Sequence, residues 1–439
     1  MSSTHNSTKR PPLPGGAGSF SQGGQPQARP PAPQPRAVLY GIKHPSMAMC
    51  SLPSSATTGV GSDEAARFLV GSATTRGPAE VHLLEVSSEP ADPAADAGDS
   101  CGPIRSSFYH HPRGQICDIS SSPHNSSWFA TSSVDAASGE NFVTVWGATF
   151  PFSPGSPSLP ASGNPGDNSP PLKMIASLSG LKSQVNNQGE FATIDQAGAL
   201  CLFNFAGSTA TATNPAPANR TATISTADFG VANPSPLLAC SWNPHQDAQI
   251  VTSAQDGSLT VWDIRSKRPA IRTTSAHGLK VPVRAVDHNP LAASFLASGG
   301  DDGSVRIWDI RNMGSGPVKT TLSHTHWVWS VEYNHFYDEL LLSAGSDSRV
   351  HLENVGSHVS GSSSYSAGES THSDSGLPAS SPTPSRSRAG PVHTYTPHEE
   401  SVYSARWSAS EPWILASVSY DGRVAINVVP RSEKLRLLL

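Results

Sequence analysis

Runs of five to eight residues in which apolar and polar side chains alternate recur along the chain. They include RFLVGSA (67–73), EVHLLEV (80–86), NFVTVWG (141–147), ALCLFNF (199–205), SLTVWDI (258–264), SVRIWDI (304–310), RVHLENV (349–355) and RVAINVV (423–429). Gly, Asp, Asn or Ser-Pro bounds each run. A period of two turns successive side chains to opposite faces of a strand, and no long segment carries the 3.6-residue period of a helix. The pattern predicts an all-β chain. Between the strands lie stretches too poor in apolar residues to offset the entropy of ordering them. The longest are 1–36, 151–171 and 356–390, with shorter ones near 87–103 and 207–223. They read as a disordered Pro/Gly-rich N-terminal tail (1–36) and long disordered loops inside one domain, 37–439.

The alternation is itself repeated. DDGSVRIWDIRN (301–312) restates QDGSLTVWDIRS (255–266), and the pairs Trp262-Asp263 and Trp308-Asp309 lie 46 residues apart. Self-similarity of this kind marks a repeat architecture, in which one unit cannot bury its own faces and is copied until neighbours cover it. The clearest unit runs AHGLKVPVRAVDHNPLAASFLASGGDDGSVRIWDI. After it come SHTHWVWSVEYNHFYDELLLSAGSDSRVHLENV and, later, PHEESVYSARWSASEPWILASVSYDGRVAINVV. Each has a His near its start, an alternating strand, a small-residue strand ending in Asp, and a final strand. Weaker units fall at about 37–86, 108–147, 172–205 and 224–264, which makes seven.

A His-to-Trp spacing near thirty, a turn Asp six residues before Trp, and Trp-Asp closing the last strand resemble the WD-repeat family. The resemblance implies a seven-bladed WD40-type β-propeller. In that family a turn Asp accepts a hydrogen bond from the His, which bonds a Ser or Thr hydroxyl, which bonds the Trp indole. Carried across, the fifth unit offers His277, Ser298, Asp302 and Trp308. The sixth offers His324, Ser343 and Asp347 with Glu353 in place of Trp, and the seventh His398, Ser417 and Asp421 with Asn427 in that place. The fourth keeps Thr252, Asp256 and Trp262 without an evident His. A catalytic-triad reading of these sets fails because they would be buried and repeated.

Composition narrows the function classes. The chain has 439 residues, 14 % charged, with a net charge of -5, which gives no electrostatic reason for nucleic acid or an anionic membrane as a partner. No apolar run approaches the ~18–20 residues that span a bilayer, so direct membrane insertion is not expected. Residues 1–36 lack an apolar core and carry eight prolines, unlike a signal peptide. The five cysteines never form C-x-x-C, which points to reduced thiols in a cytosolic protein. Nucleotide-binding and hydrolase motifs are missing, so neither an enzyme nor a cofactor is expected. The His clusters at 110–111 and 324–326 read as a repeat His beside an exposed neighbour, with no metal site expected.

Aromatic residues supply the candidate chemistry. Trp327 and Trp329 follow a repeat His, Tyr403 takes the matching place in the next unit, and Tyr420 precedes the turn residue Asp421. Trp and Tyr clustered on a surface are typical binding hot spots. Two passages, 324–350 and 401–431, together with AVLYGI, RFLVGSA and the terminal LRLLL, resemble the EARP and GARP complex-interacting proteins. That resemblance implies a non-catalytic adaptor for the endosome-associated recycling and Golgi-associated retrograde tethering complexes. It further implies a cytoplasmic protein, peripheral at endosomes or the trans-Golgi network. LRLLL (435–439) is expected to give the outer strand that closes the ring. A rival function is a substrate receptor of a cullin–RING ubiquitin ligase, meeting a ligase adaptor through the two W-D-x-R motifs with Arg265 and Arg311.

Overall fold

The structure, a computed structural model, describes residues 37–53, 65–74, 77–87, 101–112, 114–123, 126–135, 138–148, 172–179, 182–185, 190–204, 219–225, 234–356 and 390–439. The expected tail 1–36, the loop 151–171 and nearly all of 356–390 lie outside these residues. The alternating runs are strands whose apolar side chains are buried, as in Ala79–Val86 and Leu259–Asp263. All regular structure described is β apart from a 3-10 turn, Ile310–Ser315, and one helix, Arg431–Leu438. No helix among the described residues is long and apolar enough to cross a membrane.

The strands form seven four-stranded antiparallel sheets. In chain order their innermost strands are Ser46–Ser51, Gln115–Ser121, Lys182–Val185, Leu237–Trp242, Val283–His288, Val328–Tyr333 and Val402–Trp407. Each inner strand packs against the next, and the seventh returns to the first. Seven apolar clusters fill the junctions, one between each pair of neighbouring sheets. The junction of sheets seven and one holds Ile414, Ala416 and Val418 against Phe68, Val70 and Leu84. A large side chain covered in this way contributes about 1.5–3 kcal/mol, which a lone sheet with bare faces cannot gain. Neighbouring sheets approach so closely that a Cβ added to Gly299 would sit 2.6 Å from Val328 Cγ1 of the next sheet. Gly303 and Gly422, at φ +75° and +76°, turn the chain just past Asp302 and Asp421, in a region side chains rarely adopt.

Closure corrects two expectations. Val38–Gly41, read as part of the first unit, is the outer strand of sheet seven, paired from Val38↔Ile426 to Gly41↔Arg423. The slot assigned to LRLLL is therefore already filled, and that segment ends the helix Arg431–Leu438, which buries no residue. Pairing the first and last described strands within one sheet removes a free edge.

The outer strands are the elements least visible beforehand. Each unit was read as three strands, yet Arg268–Thr273, Lys319–Leu322 and Gly390–Tyr395 add a fourth. Asn219–Ser225, expected to be loop as far as 223, pairs with Ala199–Asn204. An outer strand covers one ladder edge and little core, so it needs no strong apolar alternation.

Candidate docking site at the channel mouth

The repeated polar sets hold the turns in place. In sheet five Trp308 Nε1 donates to Ser298 Oγ at 2.8 Å, Ser298 meets His277 Nε2 at 2.8 Å, and His277 Nδ1 meets Asp302 at 2.9 Å. Burial opposes the Asp302 charge, but hydrogen bonds from His277 and Ser304 hold its carboxyl well below the usual range. Sheet four joins Trp262 to Thr252 at 2.8 Å without a His, while Asp256 accepts from the Ser258 hydroxyl at 2.6 Å. A further set joins His111, the end of sheet one's outer strand Ile104–His111, to Thr131 and Trp146 of sheet two at 2.9 and 2.8 Å; the sequence reading found only a repeat His at 110–111. Its His-to-Trp spacing of 35 residues was the available signal. In sheet six His324 meets Ser343 and Asp347, each at 2.9 Å. Sheet seven is incomplete: His398 reaches Ser417 at 2.8 Å, but Asp421 stands 3.9 Å away and Asn427 Nδ2 is buried without a partner.

A second set of bonds runs around the channel, each crossing one junction. Gln184 accepts from the Trp242 N–H at 2.6 Å, Ser241 from His288 at 3.1 Å, Asp287 from Tyr333 at 2.9 Å and Glu332 from Trp407 at 2.6 Å. Arg406 closes the series by donating to the Met49 carbonyl at 3.2 Å. Cys50, Asp118, Asp287, Glu332 and Arg406 line a cavity of about 480 Å³ along this axis. Burial pushes the Asp287 and Glu332 carboxyls up to about 7, and the Glu332 charge adds to the rise at Asp287.

This sets a pH dependence. A carboxyl raised on folding binds its proton more tightly in the native state, so its stabilising contribution is complete below the unfolded value near 4.5. That contribution is lost as pH rises through about 7. Glu332→Gln keeps an acceptor for Trp407 and removes the titration. At pH 8 the variant is expected to be more stable than the parent by about 1–3 kcal/mol, and at pH 4 to match it. Urea unfolding at the two pH values reads the difference, and a gap independent of pH would refute the assignment.

At the turn end of the channel the inner strands carry aligned bulges. The ladder skips Met47, Cys117, Leu238, Arg284, Trp329 and Tyr403 in six of the seven sheets. A bulge re-aims the side chain of the skipped residue. Here three consecutive sheets supply Arg284, Trp329 and Tyr403, which gather with Trp327 and Tyr420. Trp327 and Trp329 lie 6.0 Å apart, Trp329 and Tyr403 4.9 Å, and Tyr403 and Tyr420 6.1 Å between ring centroids. The Arg284 guanidinium stacks 4.5 Å from Trp327 and 4.3 Å from Trp329 while forking onto Asp301. Trp329 is pinned by Ser346 at 2.6 Å, whereas Trp327 and Tyr420 stay 40 % and 48 % exposed. The four aromatic residues singled out in the sequence thus form one continuous arc. Arg284 was missed, although aligning VRAV with VWSV puts it in the Trp329 column.

Arg265 and Arg311 stand apart from this arc. Both are exposed, and Arg311 forks back onto Asp309 of its own motif at 3.0 and 2.8 Å.

Comparison with known proteins agrees with this architecture. A family model described as EIPR1 beta-propeller matches residues 35–352, and one described as WD domain, G-beta repeat, matches 389–426. The rat protein named "EARP and GARP complex-interacting protein 1" is 31 % identical over 408 residues, covering 92 % of this chain and 98 % of that protein. The Gekko japonicus "EARP-interacting protein homolog" is 31 % identical over 419 residues, with the same two coverages. The Macaca fascicularis "EARP and GARP complex-interacting protein 1" is 31 % identical over 410 residues, again covering 92 % and 98 %.

Proposed function

The chain belongs to the EIPR1 β-propeller family of EARP and GARP complex-interacting proteins, and on that premise we propose that it is a non-catalytic adaptor for the EARP and GARP tethering complexes. It acts from the cytoplasm, peripheral at endosomes or the trans-Golgi network, in endosomal recycling. The observation that carries this reading beyond the family is the aromatic arc. A rigid ring presents Trp327 and Tyr420 to solvent beside Trp329, which Ser346 and Arg284 hold in place. Ordered aromatics lose little entropy on binding, which is why such residues dominate interface energetics. The ubiquitin-ligase reading has no comparable support, because Arg311 is engaged by its own motif.

The test is recovery of EARP and GARP subunits with the purified adaptor. Trp327→Ala combined with Tyr420→Ala removes exposed surface without opening the core, so the melting temperature should stay within about 2 °C. Loss of two hot-spot residues at about 2 kcal/mol each should weaken binding more than 100-fold. Undiminished recovery of the subunits by the variant would overturn the assignment of this surface.

A further inference from the structure

Sheet six contains donors that neither the docking arc nor ring closure uses. One nitrogen of His324, one of His351 and a carboxylate oxygen of Asp347 lie within 4.8 Å of one another. Sheet five shows what the repeat usually places there. Arg306, opposite Ser298 in the ladder, pairs with Asp302 at 3.0 Å, and Trp308 donates to Ser298. In sheet six His351 stands opposite Ser343, the Arg306 place, and Glu353 takes the Trp308 place. The cation beside the turn Asp and the indole donor are both replaced.

The replacement puts an acceptor where sheet five has a donor, which lets the hydrogen-bond chain run the other way. In sheet five hydrogen runs one way, from Trp308 through Ser298 and His277 to Asp302. Glu353 instead accepts, from Ser323 Oγ at 2.6 Å and Ser343 Oγ at 3.4 Å. If Ser343 points its hydrogen at Glu353, its oxygen is free to accept from an Nε2–H of His324, 2.9 Å away. In that tautomer Nδ1 of His324 faces Asp347 Oδ1, 2.9 Å away, with a lone pair. The two electron-rich atoms are then best held together by a cation between them. His351 places a further ring nitrogen in the same group. Its Nδ1 is held by Thr394 Oγ1 at 2.9 Å, and its Nε2 is buried with no partner although the residue is only 5 % exposed. The two imidazole rings meet edge-on with centroids 4.5 Å apart.

We propose that sheet six binds a transition-metal dication, Zn²⁺ in particular, through His324 Nδ1, His351 Nε2 and the Asp347 carboxylate. Two imidazoles and one carboxylate match Zn²⁺ better than Ca²⁺ or Mg²⁺, which prefer all-oxygen sets. Ligand atoms of one tetrahedral Zn²⁺ stand roughly 3.3 Å apart, so small side-chain rotations bring the three donors into place. Ser343 and Thr394 orient the two imidazoles from behind, as outer partners of metal-bound histidines do. The ion supplies the positive charge that Arg306 gives sheet five, and it fastens a sheet lacking the indole lock.

Chelator-treated full-length protein is titrated with Zn²⁺ alone by calorimetry, and with Co²⁺ in a spectrophotometer. The expected result is one Zn²⁺ per chain, an intense visible Co²⁺ band of tetrahedral type, and a melting temperature several degrees higher with Zn²⁺. His351→Val should lose all three effects. His351→Arg restores the sheet-five cation, so it should melt above the metal-free parent and ignore Zn²⁺; it also keeps the test decisive if His351→Val misfolds. Binding that survives in both variants would place the metal on exposed histidines such as His326 and overturn the proposal. Absence of Zn²⁺ uptake would also overturn it, leaving a protonated Glu353, whose carboxyl burial raises, to restore the hydrogen-bond direction.

Discussion

A chain that starts at residue 43 should melt about 10 °C below one that starts at residue 37, or fail to fold. The segment between these starts holds Val38–Gly41, the outer strand of sheet seven, and it pairs across four positions with the strand Arg423–Val428. Ile42 adds a backbone bond to Gly422 at 2.7 Å, and Tyr40 reaches from sheet seven to His82 of sheet one at 3.3 Å. Val38 and Tyr40 also pack on the apolar cluster at that junction. Several hydrogen bonds at about 1 kcal/mol each, together with the apolar cover, sum to roughly 5 kcal/mol. The loss falls where the first and last described strands pair and leaves a bare edge on sheet seven. Removal of 435–439 is the contrasting case. The helix that it shortens buries no residue, so the melting temperature should change by less than about 2 °C. Thermal unfolding of the three truncations separates the two assignments. If losing 435–439 is the more damaging change, the closure described here is wrong.

Ser298→Ala should cost about 3–4 kcal/mol, whereas Ser417→Ala, the same change two sheets on, should cost about 1 kcal/mol. In sheet five the hydroxyl is shared between the Trp308 indole and His277 Nε2, so its loss strands two buried polar atoms. In sheet seven only His398 depends on Ser417, because Asn427 makes no bond there. His398 is already weakly held: burial pushes its imidazole down to about 4, and Asp421 lies too far away to form a strong pair. Urea unfolding of the two variants under one set of conditions reads the contrast directly. Equal costs would show that the indole adds nothing to the lock.

The candidate site was partly legible beforehand. Trp329 and Tyr403 stand out because they take matched places in adjacent repeats, Trp327 and Tyr420 because they lie beside a repeat His and a turn Asp, and adjacent repeats become adjacent sheets. Arg284 did not stand out, since its importance comes from stacking across a junction onto rings contributed by sheet six. His351 and Glu353 show the same limit. The absence of Trp at 353 was visible, but the unsatisfied imidazole it accompanies appears only when Ser343 and Thr394 are in place.

The sequence by itself determined most inner strands, the turn residues and the polar sets of sheets four to seven. These depend on period-two alternation and on spacings within about forty residues, and repetition writes both several times. Tertiary structure alone decided which strand closes the ring, where the fourth strand of each sheet comes from, and which bulged residues meet at the mouth. The reason is physical: a strand edge accepts any partner with free N–H and C=O groups, so local pattern cannot choose among them. The choice falls to whichever pairing leaves no edge open and no sheet face bare, as Val38–Gly41 does and LRLLL does not.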